Sequence, residues 1–92
     1  MQVIQTSRFK KTVRKLNAKQ KSELDQAVKT IIDNPYTGEQ KKGDLDFLWV
    51  YKFRMSNQLT LLAYSYEKEI ITLTLLDLGS HENFYRDIKR SL

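Results

Sequence analysis

Three apolar runs in the second half of the chain limit most strongly what this sequence can fold into: residues 48–55, 59–66 and 70–78. Each is rich in β-branched, aromatic and leucine residues, and each repeats with a period of two, as strands do. The connections around Ser56-Asn57-Gln58 and Glu67-Lys68-Glu69 are short enough for hairpins, so the three strands are expected to form an antiparallel meander. Gly79-Ser80 is expected to break the last strand. A sheet of this kind must bury one face against a second layer.

The first half supplies that layer. Residues 2–6 alternate weakly and suit a short first strand. Ser7 is the expected N-cap of a helix in which Phe9, Val13 and Leu16 fall at i, i+4 and i+7, one apolar stripe. Asn17, with Gln20 three residues later, reads as a capping box opening a second helix. Leu24, Ala27, Val28, Ile31 and Ile32 form its apolar face, and Asn34-Pro35 ends it, because proline disfavours helical geometry in the residue before it. Residues 36–46 read as a polar loop with two glycines and the pair Lys41-Lys42. Residues 82–91 are expected to form a terminal helix with Phe84 and Ile88 on one side. The fold class is therefore α+β, in one domain over residues 1–92: a short N-terminal strand plus a three-stranded antiparallel meander, packed against an N-terminal helical hairpin, with a short C-terminal helix.

Composition narrows the functional classes. The apolar fraction of 40% supports one core and argues against intrinsic disorder. With no cysteine, disulfides and thiolate metal sites are excluded, and one histidine makes no metal cluster. No apolar run approaches the roughly 18 residues of a membrane span, and residues 1–5 lack the layout of a secretory signal. A soluble cytoplasmic protein with no membrane association is expected. The net charge of +5 is unevenly spread. Arg8, Lys10, Lys11, Arg14, Lys15, Lys19 and Lys21 precede the first acid, and six acids follow between Glu23 and Asp46. Such asymmetry suits a polyanion or an acidic partner protein, or simply a solvated helix face.

The first run of the meander is the most informative. Period two sets Trp49, Tyr51, Phe53 and Met55 on one face and Val50, Lys52 and Arg54 on the other. Lys52 and Arg54 then lie about 6 to 7 Å apart along the strand, a spacing suited to adjacent phosphates. Cations on a strand also protect a sheet edge from unwanted pairing. His81, the sole histidine, directly follows the last strand, where loops often carry working groups. Beside cations its pKa would fall, leaving it able to act as acid or base near neutrality. Tyr85 follows one helical turn later, placed either to stack on a base or to anchor the terminal helix. No phosphate-binding glycine loop or serine nucleophile motif is present, and an Asp44–Asp46 carboxylate pair needs no explanation beyond a charged loop. Cations and a histidine suit cleavage of RNA, whose own 2′-hydroxyl is the nucleophile. Such a site needs a proton acceptor, a proton donor and charge stabilisation, with no obligatory cofactor or metal.

Tyr51-Lys52-Phe53-Arg54, with Tyr64 ten residues after Arg54, resembles the tyrosine-basic-apolar-basic strand and next-strand tyrosine of RelE toxins. Leu78-Gly79-Ser80-His81 followed by Phe84-Tyr85 is similar to the glycine-x-histidine and downstream aromatic of the YafQ branch. With the element order, these motifs resemble the RelE/ParE superfamily of type II toxin–antitoxin systems over nearly the whole chain. The resemblance implies a toxin that cleaves mRNA in the ribosomal A site and inhibits translation, bound by a cognate antitoxin in a hetero-oligomer. It further implies that Lys52 and Arg54 hold the scissile phosphate, that His81 is the general acid, and that Tyr85 stacks on a base. One of Lys52, Arg54 or Lys42 would help to remove the 2′-hydroxyl proton. Lys41, Lys42, Lys10, Lys11, Arg14 and Arg86 would contact RNA by salt-sensitive phosphate bonds. The alternative within the same superfamily is a ParE-like toxin that inhibits DNA gyrase without nuclease activity. Leu61 stands where RelE-like chains commonly carry an arginine, and the extra histidines of YafQ-like chains are absent.

Overall fold

The computed structural model describes residues 1–80, so the expected terminal helix over 82–91 lies outside the described residues. A first strand, β1 (Gln2–Gln5), leads into two helices, α1 (Ser7–Arg14) and α2 (Ala18–Asp33). Strands β2 (Glu39–Gln40), β3 (Trp49–Met55), β4 (Gln58–Glu67) and β5 (Thr72–Ser80) follow. The α+β expectation and the meander hold, and the sheet gains one strand, with the order β1-β5-β4-β3-β2. The pair β1–β5 is parallel and every other pair is antiparallel. Among the described residues no helix is long and apolar enough to cross a membrane.

Local chemistry explains most boundaries. The expected capping box is present: Gln20 N donates to Asn17 Oδ1 at 2.8 Å, and Asn17 N donates to Gln20 Oε1 at 2.9 Å. The cap of α1, however, is Thr6 rather than Ser7. Thr6 Oγ1 accepts from Phe9 N at 3.1 Å and donates to Leu76 O at 2.8 Å, so its hydroxyl serves the helix and β5 together. The β3–β4 hairpin turns on Ser56 (φ 52°) and Asn57 (φ 63°), both left-handed as a type I′ turn demands. Two further boundaries differ from the sequence expectation. Ile70 belongs to a 3-10 turn (Lys68–Ile70) and the last strand begins at Thr72. Gly79 and Ser80 do not break that strand, because they stay in register with Leu61 and Thr60 of β4.

Both faces of the sheet carry apolar clusters. The helix side buries Phe9, Leu24, Ala27, Ile31, Leu62, Tyr64, Leu73, Leu75 and Leu78, with Trp49, Tyr51, Phe53 and Met55 packed against them. The far side buries Leu45, Leu48, Val50, Leu61 and Ala63, covered in part by the connection before β3. In that connection a 3-10 turn (Gly43–Leu45) brings Leu45 and Leu48 onto the sheet. A bulge interrupts the β4–β5 register between Ala63 and Tyr64. The extra residue, Leu76, packs with the far cluster and shifts the alternation, so that Leu75 and Leu78, three positions apart, both pack on the helix side.

Candidate functional site

The alternation expected for β3 is observed. Val50 is buried on the far side, whereas Lys52 and Arg54 are exposed. Residues opposite one another in a sheet share a face, so the register extends the Lys52 position across the sheet. Lys52 pairs with Leu61, and Leu61 pairs with Gly79. Ser80, the next residue and the last described, pairs with Thr60. The expected site residues His81, Tyr85 and Arg86 follow it and lie outside the described residues.

The two cations occupy neighbouring but different hollows, which meet at Tyr51. Lys52 lines a cavity of about 280 Å³ with Thr37, Gly38, Glu39, Val50 and Tyr51. Arg54 lines a groove of about 280 Å³ between β3 and α2, bounded by Glu23, Ala27, Tyr51 and Phe53. The rings of Tyr51 and Phe53 stack at 6.1 Å along that groove. Arg54 Nη1 donates to Asn57 O at 3.1 Å, which ties the guanidinium to the hairpin turn. Glu23 Oε1 accepts from Ser56 N at 3.1 Å and fastens the same turn to α2.

Glu39 is the carboxylate of the Lys52 cavity, and the sequence reading passed over it. It stands opposite Val50 in the two-residue β2, a strand too short to show a period in the sequence. Its side chain is 65% exposed, and its Oε1 lies 3.4 Å from Lys41 Nζ. The site thus offers a cation and a carboxylate in one open hollow, where a phosphate and a proton donor can be met together.

The wall bearing Glu39 is held from beneath. Tyr64 of β4 is fully buried, and its hydroxyl donates to Pro35 O at 2.7 Å and accepts from Gly38 N at 3.1 Å. Burial pushes the Tyr64 hydroxyl pKa above its usual 10, and the Gly38 N–H partly opposes that shift. A side-chain carbon on Gly38 would come within 2.6 Å of Tyr64 Oη and 2.9 Å of Val50 O, so the chain can approach this closely only as glycine.

Of the remaining expected contacts, Lys41 reaches this point with its ammonium, 3.4 Å from Glu39 Oε1. Lys41 N donates to Leu48 O at 2.9 Å, so the Lys41 backbone and the exposed Lys42 sit at the other end of the β2–β3 pair from Lys52. Lys52 lies four positions beyond Leu48, about 13 Å along the chain. Lys10, Lys11 and Arg14 are exposed on α1, whose Phe9 belongs to the helix-side cluster. They therefore lie in the layer across the sheet from the Lys52 cavity. Arg8 on the same helix is committed elsewhere, to Asp77 of β5.

The family model describing the ParE-like toxin of type II bacterial toxin-antitoxin system matches residues 3–89 of this chain. No curated protein matches it. Among solved structures, the chain is similar to an E. coli RelE variant in the free state, with a TM-score of 0.74, 20% identity, and coverage of 99% of this chain and 97% of that one. It is likewise similar to a chain of the intact E. coli RelBE toxin-antitoxin complex (TM-score 0.72, 20% identity, 88% and 96% covered). A third similar structure is the YoeB/ParE toxin from Agrobacterium tumefaciens (TM-score 0.71, 16% identity, 88% and 99% covered).

Proposed function

Since the chain belongs to the ParE-like toxins of type II bacterial toxin-antitoxin systems, we propose that it acts as a ribosome-dependent mRNA endonuclease held in check by a cognate antitoxin. The observation that carries this reading is the row Lys52–Leu61–Gly79. It sets the residues just before His81 two strand spacings, about 10 Å, from Lys52. A phosphodiester and its two flanking oxygens fit that span.

In the cleavage step the 2′-oxygen forms a bond to phosphorus as the bond from phosphorus to the 5′-oxygen breaks. The products are a 2′,3′-cyclic phosphate and a free 5′-hydroxyl. Lys52 stabilises the charge on the phosphoryl oxygens, aided by Arg54 once its guanidinium leaves the Asn57 carbonyl. Glu39, in the Lys52 cavity, takes the 2′-hydroxyl proton, and His81 donates a proton to the departing 5′-oxygen. Tyr85 stacks on a base, and the cations of α1 meet ribosomal RNA on the other side of the sheet.

A partner antitoxin is supported by the RelBE toxin-antitoxin complex among the similar structures. An acidic segment would be drawn to the exposed cations, forming a toxin–antitoxin hetero-oligomer. One observation favours inhibition of DNA gyrase instead. Leu61, between Lys52 and Gly79, is fully buried in the far cluster and adds no cation to the row.

The deciding experiment maps mRNA ends on translating ribosomes and assays gyrase supercoiling in parallel. Codon-phased cuts that disappear in Lys52→Ala and His81→Ala are expected. Intact mRNA with poisoned gyrase would transfer the assignment to the alternative.

A further inference from the structure

We propose that Tyr64 is a positioning residue for cleavage: its buried hydroxyl clamps the turn over residues 35–38, so that Glu39 and Lys52 line one cavity. The inference rests on the nuclease reading and assigns a task within that site.

The hydroxyl is poorly explained by packing alone. Tyr64 is fully buried, and its ring stacks on Trp49 at 6.3 Å, a role that phenylalanine fills without a polar atom. A buried hydroxyl is costly unless its bonds are made. Both bonds here go to one distant turn, 29 residues away at Pro35 O and 26 at Gly38 N. That turn leads directly into Glu39.

The turn needs the anchor, because β2 cannot hold itself. Only Glu39 and Gln40 pair with β3, opposite Val50 and Trp49. Two paired residues fall short of the usual strand of about five or six. Beyond them, Lys41 N reaches Leu48 O and secures the C-terminal side. On the N-terminal side the ring of Tyr36 rests against Trp49 and Tyr66, and the backbone of the turn is held by the Tyr64 hydroxyl. Gly38 completes the arrangement, since its missing side chain lets the backbone approach both Tyr64 Oη and Val50 O. The clamp therefore has two halves, a hydroxyl on β4 and a glycine on the turn. Losing either half shifts the Glu39 carboxylate relative to Lys52 while leaving both groups chemically intact.

The test is single-turnover mRNA cleavage by the full chain on programmed ribosomes, comparing wild type with Tyr64→Phe, Gly38→Ala and the core control Ile31→Val. Tyr64→Phe is expected to lower the saturated cleavage rate constant by about 10- to 100-fold, the scale of a misplacement near 1 Å. The ribosome concentration giving half-maximal rate should not change. Gly38→Ala should reproduce this split, and it is read alone if Tyr64→Phe does not fold. Ile31→Val, which lowers Tm without touching the turn, should cleave at the wild-type rate. A folded Tyr64→Phe or Gly38→Ala protein with the wild-type rate constant overturns the clamp and leaves the nuclease reading standing. A slowing that Ile31→Val shares at equal Tm loss also overturns it, by tracing the effect to stability. Wild-type protein that leaves mRNA intact removes the nuclease reading, and the clamp with it.

Discussion

Arg8 Nε donates to Asp77 Oδ2 at 2.8 Å, joining the start of α1 to the bulged stretch of β5 across 69 residues of sequence. The carboxylate is 8% exposed and the guanidinium-bearing side chain 45% exposed. The second carboxylate oxygen accepts from Leu78 N at 2.8 Å, so the buried acid is satisfied on both sides. Arg8→Ala strips one partner from a buried charge and should cost about 1–3 kcal/mol in urea unfolding. Asp77→Asn keeps an acceptor for Leu78 N and removes the charge. The double variant Arg8→Ala/Asp77→Asn should therefore be more stable than Arg8→Ala alone, and a cycle with no coupling between the two positions would contradict the pairing.

Thr6 is expected to be more sensitive than an ordinary helix cap. Its hydroxyl serves Phe9 N and Leu76 O together, whereas Asn17 serves its own helix only. Thr6→Ala should exceed the roughly 1 kcal/mol usual for a lost cap, and Asn17→Ala should fall near it. Thr6→Ser keeps the hydroxyl and should recover most of the loss in thermal unfolding.

Alkaline pH should weaken the fold through Tyr64. Its folded-state pKa lies above the usual 10 because burial disfavours the phenolate. The unfolded chain therefore ionises first as pH rises. Stability from this group is intact below pH 10 and is lost as pH climbs from there through the raised value. The stability difference between wild type and Tyr64→Phe, followed by chemical unfolding from pH 8 to 11.5, should narrow above pH 10. A constant difference across that window would exclude Tyr64 as its source.

The two glycines of the connection before β3 should fail for different reasons. Gly43 has φ of 74° with no atom within 4 Å of an added Cβ, so the cost of a side chain there is backbone strain. Gly43→Ala should lose about 1 kcal/mol, and Gly43→Asn less, since asparagine tolerates the left-handed region. Gly38→Asn, facing Tyr64 Oη and Val50 O, should be worse than Gly38→Ala. Reversal of this ordering in Tm measurements would show that the crowding at Gly38 relaxes freely.

The parts legible in the sequence were those written in a period. Alternation along residues 49–55 fixed which side chains meet the helices and which leave Lys52 and Arg54 exposed. The Asn17–Gln20 pair announced the start of α2 because both halves of that cap are local. Glu39 was hidden for the opposite reason. Its place beside Lys52 comes from a two-residue pairing and a turn held by Tyr64, neither of which leaves a repeat in the chain. The strand through Gly79 and Ser80 was missed similarly, since partners on β4 override the weak strand preference of glycine. Thr6 displaced Ser7 as the helix cap because its hydroxyl, while accepting from Phe9 N, also donates to a carbonyl 70 residues away that no local pattern announces.

The parallel pairing of β1 with β5 orders events during synthesis. Among the described residues, residues 2–5 have no strand partner until residues 72–75 have been made, and the cluster around Phe9 stays incomplete until Leu73, Leu75 and Leu78 join it. Pairings so distant in sequence form late and slowly. A nascent chain halted before Thr72 can close the β3–β4 hairpin but leaves its first strand without a partner and the helix-side core unfinished. Closure of the helix-side core thus depends on β5, and a product cut before it lacks both the partner of β1 and three leucines of that core.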